Sequence, residues 1–571
     1  MSKNREVAEL FFEMADILEM LGVDWKPNAY RKAARSVETL SEPIEKVYAR
    51  GGIKALLEIP GVGQGLADKI EEFLKTGKVK EFEKLSGRIP KGVEEMMHVP
   101  GLGPKKVMRL YKKLKIVGLD QLKKAALAGK LRKLEGFGSK SEQDILRGLE
   151  IVKKGAERKL LGIALPLARE IAGRLLRVDG VKMAEPAGSL RRMRESVGDI
   201  DVLVISSKPS KVMDVFTTMP EVQTVLAKGP TKSTVILKDG VQADVRVLEE
   251  KSFGAAMQYF IGSKEHNVAL RQIAIKKGLK LSEYGLFKKD RYVCGRTEKE
   301  VYAKLGLPVI PYELRENQGE IEAALKGKLP DLIPYDAMKG DLHMHTKWSD
   351  GLHTVEQMAR AAEQRGYKYI AVTDHSKSER IANGMDEKRL LLYLKELGRI
   401  QDRVKIRVLK GAEVDILPDG SLDYDNKYLK QLDVVLAAVH SRFKSSRQEM
   451  TTRILRAFDN PYVNVFVHPT GRLIGQREPY DFDFEKVAKA AKERGIALEV
   501  DAYPSRLDLK DLHVKAAVEM GCKISIDTDS HSVEHLRFME LGIAQARRGW
   551  AEAKDVINTW PLQKLERFLR R

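Results

Sequence analysis

The sequence predicts a multidomain protein with a helical N-terminal part, a mixed α/β middle and a C-terminal part of alternating strands and helices. Three observations predict this division. Glycine pairs recur between helical patterns early in the chain, two aspartates alternate along an apolar strand, and the last part repeats strand-like runs followed by helical patterns. At 571 residues the chain is too long for one ordinary core, so about two to four domains are expected.

Charge and histidine are unevenly distributed along the chain. Residues 1–338 hold 61 lysines and arginines against 46 acidic residues, whereas residues 339–571 hold 40 against 35. Nine of the 11 histidines follow residue 338. A basic part suits a polyanion and a histidine-rich part suits metal. A solvated basic surface without a ligand is the alternative explanation of the charge.

Several classes of protein are not expected. The sequence has no stretch near the roughly 18 unbroken apolar residues of a membrane helix, and its amphipathic start has no signal-peptide layout. Cys294 and Cys522 are far apart, so no disulfide framework is implied. These features predict a cytoplasmic protein.

Three passages in the basic part share an apolar run, then Gly-x-Gly, then the start of an amphipathic helix: "LLEIPGVGQGLADKI", "MMHVPGLGPKKVMRL" and "LRKLEGFGSKSEQDI". Their glycines are Gly61, Gly63, Gly101, Gly103, Gly136 and Gly138. Glycine permits a tight turn that presents free backbone N–H groups to a phosphate, whatever the base. One copy would more simply be a plain turn, but three copies resemble the helix-hairpin-helix motifs of DNA-binding proteins.

The run "DIDVLVIS" predicts a buried strand on which Asp199 and Asp201 point to the same face. Adjacent carboxylates repel one another unless a cation lies between them, which favours magnesium. Asp244 interrupts another apolar strand in "GVQADVRVLEE". Three carboxylates on adjoining strands can hold two metals, one activating a hydroxyl and one bridging a triphosphate. Surface aspartates at strand ends are the simpler alternative.

Gly188-Ser189, followed by Asp199-x-Asp201, resembles the nucleotidyltransferase signature of family X DNA polymerases. "NAYRKAARSV" resembles the small N-terminal domain of that family, and "YFIGSKEHNVALRQIA" resembles its thumb. The resemblance covers about residues 1–320 and implies a palm whose Asp199, Asp201 and Asp244 bind Mg²⁺ or Mn²⁺. It also implies a cis peptide at Gly262–Ser263. The implied nucleotide contacts are Arg158, Gly188, Ser189, Arg192, Tyr259, Phe260, Gly262, Asn267 and Arg271.

Lys69 matches the Schiff-base lysine of the family's deoxyribose-phosphate lyase activity, and Lys26 and Tyr30 match residues near it. Gly65 departs from the family, which has a supporting lysine there. A Schiff base needs a lysine of depressed pKa, often aided by a neighbouring cation. With Gly65 in place of the supporting lysine, this neighbouring cation is missing. Gln242 is a second departure, because some members carry an arginine there.

After the connector "LPDLIPYDAMKG", strand-like runs end in possible ligands: "KGDLHMH", "YIAVTDH", "VLKGAEVDI", "VVLAAVH", "VNVFVHP" and "ISIDTDSH". In a parallel βα barrel the carboxyl ends of the strands open onto one face. A single histidine at a strand end is more often structural, but the repeated pattern predicts a metal site. The converging residues would be His343, His345, Asp350, His375, Glu413, His440, His468, Asp529 and His531. His353, His513 and His535 lie off the pattern and are predicted to be surface or packing residues.

Residues 339–571 resemble the polymerase and histidinol phosphatase (PHP) domain, with all nine metal positions filled. The resemblance implies a distorted (β/α)7 barrel with three metal ions. His343, His345, Glu413 and Asp529 would bind one; Glu413, His440 and His468 a second; and Asp350, His375 and His531 the third. Zinc, manganese and iron all suit these ligands. Such a centre favours phosphoester hydrolysis.

The whole chain thus resembles a prokaryotic family X DNA polymerase with a fused PHP domain. The resemblance implies a DNA-directed DNA polymerase that fills short gaps in base excision repair. The PHP domain would act as a 3′–5′ exonuclease or hydrolyse other 3′-end or abasic-site phosphoesters. Gapped or nicked DNA and deoxynucleoside triphosphates would be its partners, and a monomer is expected. The alternatives are a repair nuclease or a DNA-end-binding scaffold whose polymerase half mainly positions DNA.

Six segments are predicted from these motifs. They are a small helical domain at 1–85, a fingers-like helical domain at 86–155, the palm at 156–250, a thumb-like domain at 251–320, a linker at 321–338 and the PHP domain at 339–571.

Overall fold

The computed structural model contains two compact units. Unit 1 comprises Met1–Arg158, Arg174–Glu185 and Gly198–Val309, and unit 2 comprises Lys159–Gly173, Pro186–Val197 and Ile310–Arg571. The structure describes residues 3–23, 25–38, 44–87, 89–90, 92–93, 96, 99, 102–138, 142–143, 145–146, 149, 158–289 and 291–570. Within these ranges no helix is both long and apolar enough to cross a membrane. The predicted segment bounds stay predictions.

The N-terminal part of unit 1 is helical, as predicted. Its helices are Lys3–Met20, Lys26–Glu38, Ile44–Leu57, Gln64–Thr76, Lys80–Ser86, Pro104–Leu114 and Leu119–Leu127, with a 3-10 turn at Leu131–Lys133. Their amphipathic patterns bury one apolar face each in a shared core that includes Phe11, Met14, Leu56 and Leu110. The apolar residue of each glycine turn, Val62, Leu102 or Phe137, joins this core, whereas the second glycines, Gly63, Gly103 and Gly138, are exposed.

The middle of unit 1 is a five-stranded mixed sheet. Its strands are Val181–Pro186, Asp199–Ser206, Val222–Lys228, Lys232–Leu237 and Gln242–Leu248. The second strand lies between the first and the last, and it runs parallel to the last. The predicted aspartate strand is therefore an interior strand, next to the central strand Gln242–Leu248. The helix Pro209–Thr217 belongs to the same unit. The segments that unit 2 takes from this part of the chain contain most of the helix Leu161–Leu176, the helix Gly188–Arg191, and the antiparallel pair of Lys159–Leu160 with Ser196–Val197.

The thumb region follows with the helices Phe253–Ile261, Lys264–Lys276, Glu298–Leu305 and Glu320–Leu325 and the antiparallel strands Lys280–Ser282, Gly285–Lys288 and Arg291–Cys294. The prediction of a cis peptide at Gly262–Ser263 is wrong. Among the described residues, the cis peptide joins Asp508 and Leu509. Ser263 instead caps the helix that follows it, because its Oγ accepts a hydrogen bond of 3.1 Å from the His266 N–H.

Unit 2 contains the predicted barrel of seven parallel strands. They are Gly340–Asp341, Tyr369–Val372, Arg407–Asp415, Val434–Ala438, Val465–Phe466, Ala497–Asp501 and Ile524–Asp527, and each neighbours the next in chain order. A parallel bridge between Met344 and Ser530 joins the segments that follow the first and last strands. The surrounding helices are Val355–Gln364, Glu387–Gln401, Asn426–Leu429, Arg447–Phe458, Phe484–Glu493, Asp511–Met520, Met539–Arg548 and Leu562–Leu569. Continuous apolar runs are typical of strands that are buried on both faces.

Candidate active sites

All nine predicted metal ligands of unit 2 come together at the carboxyl ends of the barrel strands. Three groups that consist only of these predicted ligands each bring their ligand atoms within 4.8 Å of one another, and a fourth group joins His440 to Glu379 and Asp415. The three groups are His345, Asp350, His375 and His531; His343, His345 and Asp529; and His375, Glu413 and His440. His468 joins them through Glu413, whose Oε1 lies 2.7 Å from His468 Nε2. The predicted convergence is therefore present in the structure.

The Glu413 carboxylate lies at the centre of this histidine cluster and is 1% exposed. Its two oxygens face different sets of imidazoles. Oε1 contacts His468 Nε2 at 2.7 Å and His440 Nε2 at 3.3 Å, and Oε2 contacts His375 Nδ1 at 2.9 Å, His343 Nε2 at 3.4 Å and His345 Nε2 at 3.5 Å. One carboxylate with imidazoles on both oxygens can bridge two cations.

Asp529 and Asp350 supply the other carboxylates of the cluster. Asp529 Oδ1 lies 3.1 Å from His345 Nε2 and 3.6 Å from His343 Nε2. Asp350 Oδ2 lies 3.3 Å from His531 Nε2, and its Oδ1 lies 3.8 Å from the remaining imidazole, at His375 Nε2. These neighbours are those that the PHP resemblance implies for the first and third metals.

Two further carboxylates contact the Nδ1 atoms of His343 and His440, the outer ring nitrogens that point away from the cluster centre. Glu499 Oε1 lies 2.7 Å from His343 Nδ1, and Asp415 Oδ1 lies 3.0 Å from His440 Nδ1. A carboxylate on the outer nitrogen fixes the ring and directs its Nε2 toward the cluster. The sequence analysis missed both residues. Asp415 carried a signal, because it lies two residues after Glu413 and therefore on the same face of the strand.

Burial and neighbouring charge divide the histidines into two classes. Burial alone would lower the pKa of His440, but Glu413 and Asp415 raise it to about 10. Burial lowers the pKa of His468 to about 3, with Arg506 adding to the effect. Such opposite shifts within one cluster are typical of a functional site rather than of ordinary packing.

The donor set of the cluster fits divalent transition metals. It combines imidazole nitrogens with carboxylate oxygens, the ligands that zinc, manganese and iron accept. Among the described residues, the Nδ1 atoms of His345 and His468 are buried without a hydrogen-bond partner. Buried polar atoms normally have partners. A bound metal ion would provide a partner for each of these Nδ1 atoms that faces the centre of the cluster.

A cavity of about 360 Å³ opens over the cluster. Besides the ligands, its lining includes Phe443, Arg477 and Arg506. Arg506 Nε lies 3.5 Å from Asp529 Oδ2, and the Arg477 guanidinium lies 4.3 Å above the Phe443 ring. Guanidinium groups beside such a centre suit an anionic substrate such as a phosphoester. No motif in the sequence predicted these two arginines.

The three predicted aspartates of unit 1 lie on adjoining strands. Asp199 and Asp201 alternate along Asp199–Ser206, and Asp201 is the register partner of Asp244 on Gln242–Leu248. Burial raises the pKa of Asp201 to about 7, and the charges of Asp199 and Asp244 add to the shift. Carboxylate oxygens are the ligands that Mg²⁺ prefers, so the chemistry of these three side chains fits a divalent cation.

Asp244 is tied to its neighbours. Its Oδ1 accepts a hydrogen bond of 2.6 Å from Thr234 Oγ1, and its Oδ2 accepts one of 2.7 Å from Gln242 Nε2. Among the described residues, the three aspartates do not bring one oxygen each within 4.8 Å of the others. Gln242, where some family members carry an arginine, thus donates a hydrogen bond to the third carboxylate. The sequence analysis did not predict this contact.

Three of the predicted nucleotide contacts, Gly188, Ser189 and Arg192, lie in the 186–197 segment of unit 2, and Arg158 lies in unit 1. Gly188 begins the short helix Gly188–Arg191 with a positive φ of 65°. Ser189 beside it is half-buried, and Arg158 is exposed. Arg192 Nε donates a hydrogen bond of 2.9 Å to Glu316 Oε1 within unit 2. The Arg192 guanidinium thus already has a carboxylate partner.

The predicted thumb contacts surround the turn at Gly262. The Tyr259 and Phe260 rings meet edge to face at 5.1 Å. Asn267 Nδ2 donates to the carbonyl oxygens of Tyr259 at 2.6 Å and Gly262 at 3.1 Å. Arg271 is half-buried on the same helix. Asn267 therefore holds the turn between the two thumb helices.

The glycine turns present helix starts as predicted. Gly61 has a φ of 87° and Gly136 a φ of 83°. Gly63 caps Gln64–Thr76 and Gly103 caps Pro104–Leu114. The two remaining predicted glycines are Gly138, which is exposed, and Gly101, which lies outside the described residues.

Lys69 and the three remaining C-terminal histidines have structural neighbours. Lys69 Nζ lies 2.7 Å from Glu81 Oε2. Burial would lower the pKa of Lys69, but Glu81 and Tyr30 raise it. The other contacts are those of His513 with the Phe484 ring at 4.6 Å, of His535 with the Phe538 ring at 5.1 Å and of His353 Nδ1 with the Val533 N–H at 3.4 Å.

Four family models match the chain. The helix-hairpin-helix domain matches residues 2–79, the SAM-like helix-hairpin-helix tandem matches 93–150, the DNA polymerase beta thumb matches 256–316 and the PHP domain matches 341–556. Helix-hairpin-helix domains, a polymerase thumb and a PHP barrel in one chain define a multidomain enzyme of the polymerase class.

Whole-length similarity gives the family. The chain is 38% identical over 573 residues to the DNA polymerase/3′-5′ exonuclease PolX of Bacillus subtilis, covering 99% of each chain. A probable phosphatase of Thermoanaerobacter sp. is 32% identical over 243 residues, which cover 40% of this chain and 94% of the phosphatase. The chain belongs to the family X DNA polymerases that carry a C-terminal PHP domain.

Proposed function

We propose that the chain is a DNA-directed DNA polymerase that fills short gaps in base excision repair. Its PHP domain would trim or unblock 3′ ends by metal-dependent phosphoester hydrolysis. The observation that carries the hydrolytic half is the Glu413 carboxylate, which faces imidazoles on both of its oxygens. The polymerase half is supported by the aligned Asp201–Asp244 pair and by similarity to a polymerase over the whole chain.

In the polymerase site Asp199, Asp201 and Asp244 would hold Mg²⁺ or Mn²⁺. Bound divalent cations at such a site activate a 3′ hydroxyl and neutralise a triphosphate. Gln242 and Thr234 keep Asp244 oriented toward the neighbouring strand. Nucleotide contacts are proposed for Arg158, Gly188, Ser189, Arg192, Tyr259, Phe260, Gly262, Asn267 and Arg271.

In the PHP site the nine clustered residues would hold three ions of zinc, manganese or iron. Such ions lower the pKa of bound water and neutralise a phosphate. Glu499 and Asp415 orient His343 and His440 through their outer nitrogens. Arg477 and Arg506 would bind the phosphate oxygens of the substrate.

The glycine turns would bind the backbone phosphates of gapped or nicked DNA through helix-start N–H groups. Lys69 is not expected to form a Schiff base, because its ion pair with Glu81 raises its pKa. The protein would therefore fill a gap without removing a 5′ deoxyribose phosphate. We propose a monomer.

A 5′-labelled primer on a gapped duplex tests both activities. With Mg²⁺ or Mn²⁺ and nucleotides, the primer should lengthen until the gap is filled. Without nucleotides, it should shorten from its 3′ end. Shortening without any extension would favour the alternative, a repair nuclease whose polymerase half positions DNA.

A further inference from the structure

A second cavity in unit 2, of about 280 Å³, has no role in the proposed function. Its lining combines a loop at 470–479 with Lys510, His513 and Glu195. Lys510 and His513 lie at the start of the helix Asp511–Met520. Arg477 lines this second cavity and also the cavity over the histidine cluster. The two cavities therefore share one arginine side chain.

Three buried polar atoms of residues that line the second cavity lack a hydrogen-bond partner among the described residues: Thr470 Oγ1, Arg472 Nε and His513 Nδ1. Arg472 is 8% exposed. Its Nη2 donates to Glu195 Oε2 at 2.8 Å and to the Leu507 carbonyl oxygen, but its Nε has no hydrogen-bond partner in the described part of the chain. His513 Nδ1 is likewise buried and unpartnered. Leaving a buried donor without a partner costs free energy, so these atoms are expected to meet a ligand.

The charge of the lining favours an anion. Arg472 neutralises Glu195, and the second lining carboxylate, on Glu478, is exposed. Neither Arg477 nor Lys510 forms an ion pair with a carboxylate within the described ranges. The start of the ten-residue helix adds the positive end of its dipole, which favours negative charge, while the N–H groups of Leu512, His513 and Val514 already donate to Asp511 Oδ1 and to the Lys510 carbonyl oxygen.

The pKa of His513 is lowered by burial and in part by the positive charges around the cavity. Burial lowers the pKa of His513, and Lys510 and Arg472 lower it further, while Asp511 opposes them. The apolar face of the ring is covered by Phe484 at 4.6 Å. The imidazole is therefore held neutral at pH 7, and an anion in the cavity would raise its pKa again.

We propose that the second cavity binds a phosphate group, and that in the DNA substrate this is a backbone phosphate of the strand whose 3′ end is hydrolysed at the histidine cluster. The inference rests on the proposed hydrolytic function. The shared Arg477 connects the two positions along one strand. A second phosphate site would select polynucleotides over small phosphoesters, because only a strand can occupy both cavities at once.

A binding experiment tests the cavity without any catalysis. Inorganic phosphate is titrated into the full chain while the imidazole of His513 is followed by nuclear magnetic resonance, its signal assigned by its loss in His513→Gln. The signal should move toward the protonated form. In Lys510→Gln the phosphate concentration for half the shift should rise about tenfold, since one charged contact is lost. An unmoved His513 signal would overturn the proposal.

A kinetic experiment separates a DNA backbone phosphate from free phosphate. Wild-type protein, Lys510→Gln, Lys510→Arg and the control Lys489→Gln degrade a 5′-labelled oligothymidylate and hydrolyse bis(4-nitrophenyl) phosphate. Lys489 is exposed on the helix Phe484–Glu493 and does not line the cavity. Lys510→Gln should raise the oligothymidylate KM about tenfold with kcat unchanged. Lys510→Arg should restore it, and the small diester should not respond.

The outcomes distinguish the two proposals. A His513 shift with an unchanged oligothymidylate KM would mean that the cavity takes free phosphate alone, which overturns the backbone assignment. Equal losses on both substrates would show a defect of the histidine cluster and would also overturn it. If wild-type protein hydrolyses neither substrate, the proposed hydrolytic function fails, and the His513 titration still decides whether the cavity binds phosphate.

Discussion

Neighbouring carboxylates shift the pKa of one key residue in each candidate site, His440 in unit 2 and Asp201 in unit 1. In unit 2, Glu413 and Asp415 raise the pKa of His440 against the effect of burial. In unit 1, burial and two neighbouring aspartates raise the pKa of Asp201. The carboxylates of unit 1 therefore destabilise one another until a proton or a cation binds, whereas those of unit 2 stabilise a protonated His440 that must lose its proton to bind a metal.

The outer carboxylates are predicted to matter for metal affinity although they face away from the cluster centre. Asp415→Asn and Glu499→Gln should each weaken metal binding by about 10- to 100-fold, because the imidazole loses its orientation and basicity. Metal content after dialysis against a graded chelator measures this. The matched control is Asp483→Asn, which keeps a helix cap remote from these contacts. Wild-type metal retention by both variants would contradict the assignment.

The raised pKa of Asp201 predicts a pH-dependent stability in metal-free protein. The folded state keeps the proton up to about pH 7, whereas the unfolded state releases it near the ordinary value of 3.8. Stability should therefore fall as the pH rises through that window. Asp201→Asn removes the penalty and should raise the unfolding midpoint by about 2–4 °C at pH 8. The difference should vanish near pH 4.

Thermal unfolding with chelator, followed across pH 4–8, measures the difference between the two proteins. Added Mg²⁺ should stabilise wild-type protein more than Asp201→Asn. If the difference in unfolding midpoint between the two proteins were independent of pH, the pKa of Asp201 would not be raised in the folded state.

At the scale of elements, the glycine turns give a test that leaves the fold intact. Gly63 and Gly103 have negative φ values, and a Cβ added at either meets no atom within 4 Å. Gly63→Leu should therefore fold normally and weaken gapped-DNA binding by about tenfold, because the side chain blocks the phosphate approach. Fluorescence anisotropy on two unrelated sequences measures the loss.

The matched control is Gly398→Leu, on a barrel helix where an added Cβ also meets nothing. Wild-type binding should fall steeply with salt, since phosphate contacts release counterions. Equal affinities for Gly63→Leu and the control would show that the turn is structural only. Gly61 is unsuitable for this test, because its φ is 87° and Lys32 lies 2.9 Å from an added Cβ.

Periodic elements could be predicted from the sequence, whereas contacts between distant segments could not. The alternation of Asp199 and Asp201 and the ligand residues at successive strand ends follow from the geometry of a strand. The link between His343 and Glu499 joins residues 156 apart, and neither flanking sequence predicts it. The second cavity likewise assembles Glu195 with a loop near residue 472.

The wrong prediction came from a detail carried over from the family. The resemblance implied a cis peptide at Gly262–Ser263, and the structure has no cis peptide there. In this turn Ser263 caps the following helix and Asn267 Nδ2 donates to the Gly262 carbonyl oxygen. The amide of Asn267 is used within this turn and that of Gln242 in holding Asp244. Such side-chain partnerships depend on packing that a motif does not specify.

For the whole molecule, two separate metal sites imply two activities that can be removed one at a time. The aspartates of unit 1 and the histidine cluster of unit 2 share no residue. Loss of a ligand in one site should remove metal and chemistry there, while the other site keeps its own.

The most direct measurement compares wild-type protein, Asp199→Ala and His440→Ala on one gapped duplex with a 5′-labelled primer, alongside the metal content of each preparation. Asp199→Ala should lose primer extension by at least about a thousandfold and keep 3′-end hydrolysis. His440→Ala should lose bound metal and 3′-end hydrolysis and keep extension with Mg²⁺. Hydrolysis that vanishes in Asp199→Ala and survives in His440→Ala would contradict the account and leave the histidine cluster as a structural metal site.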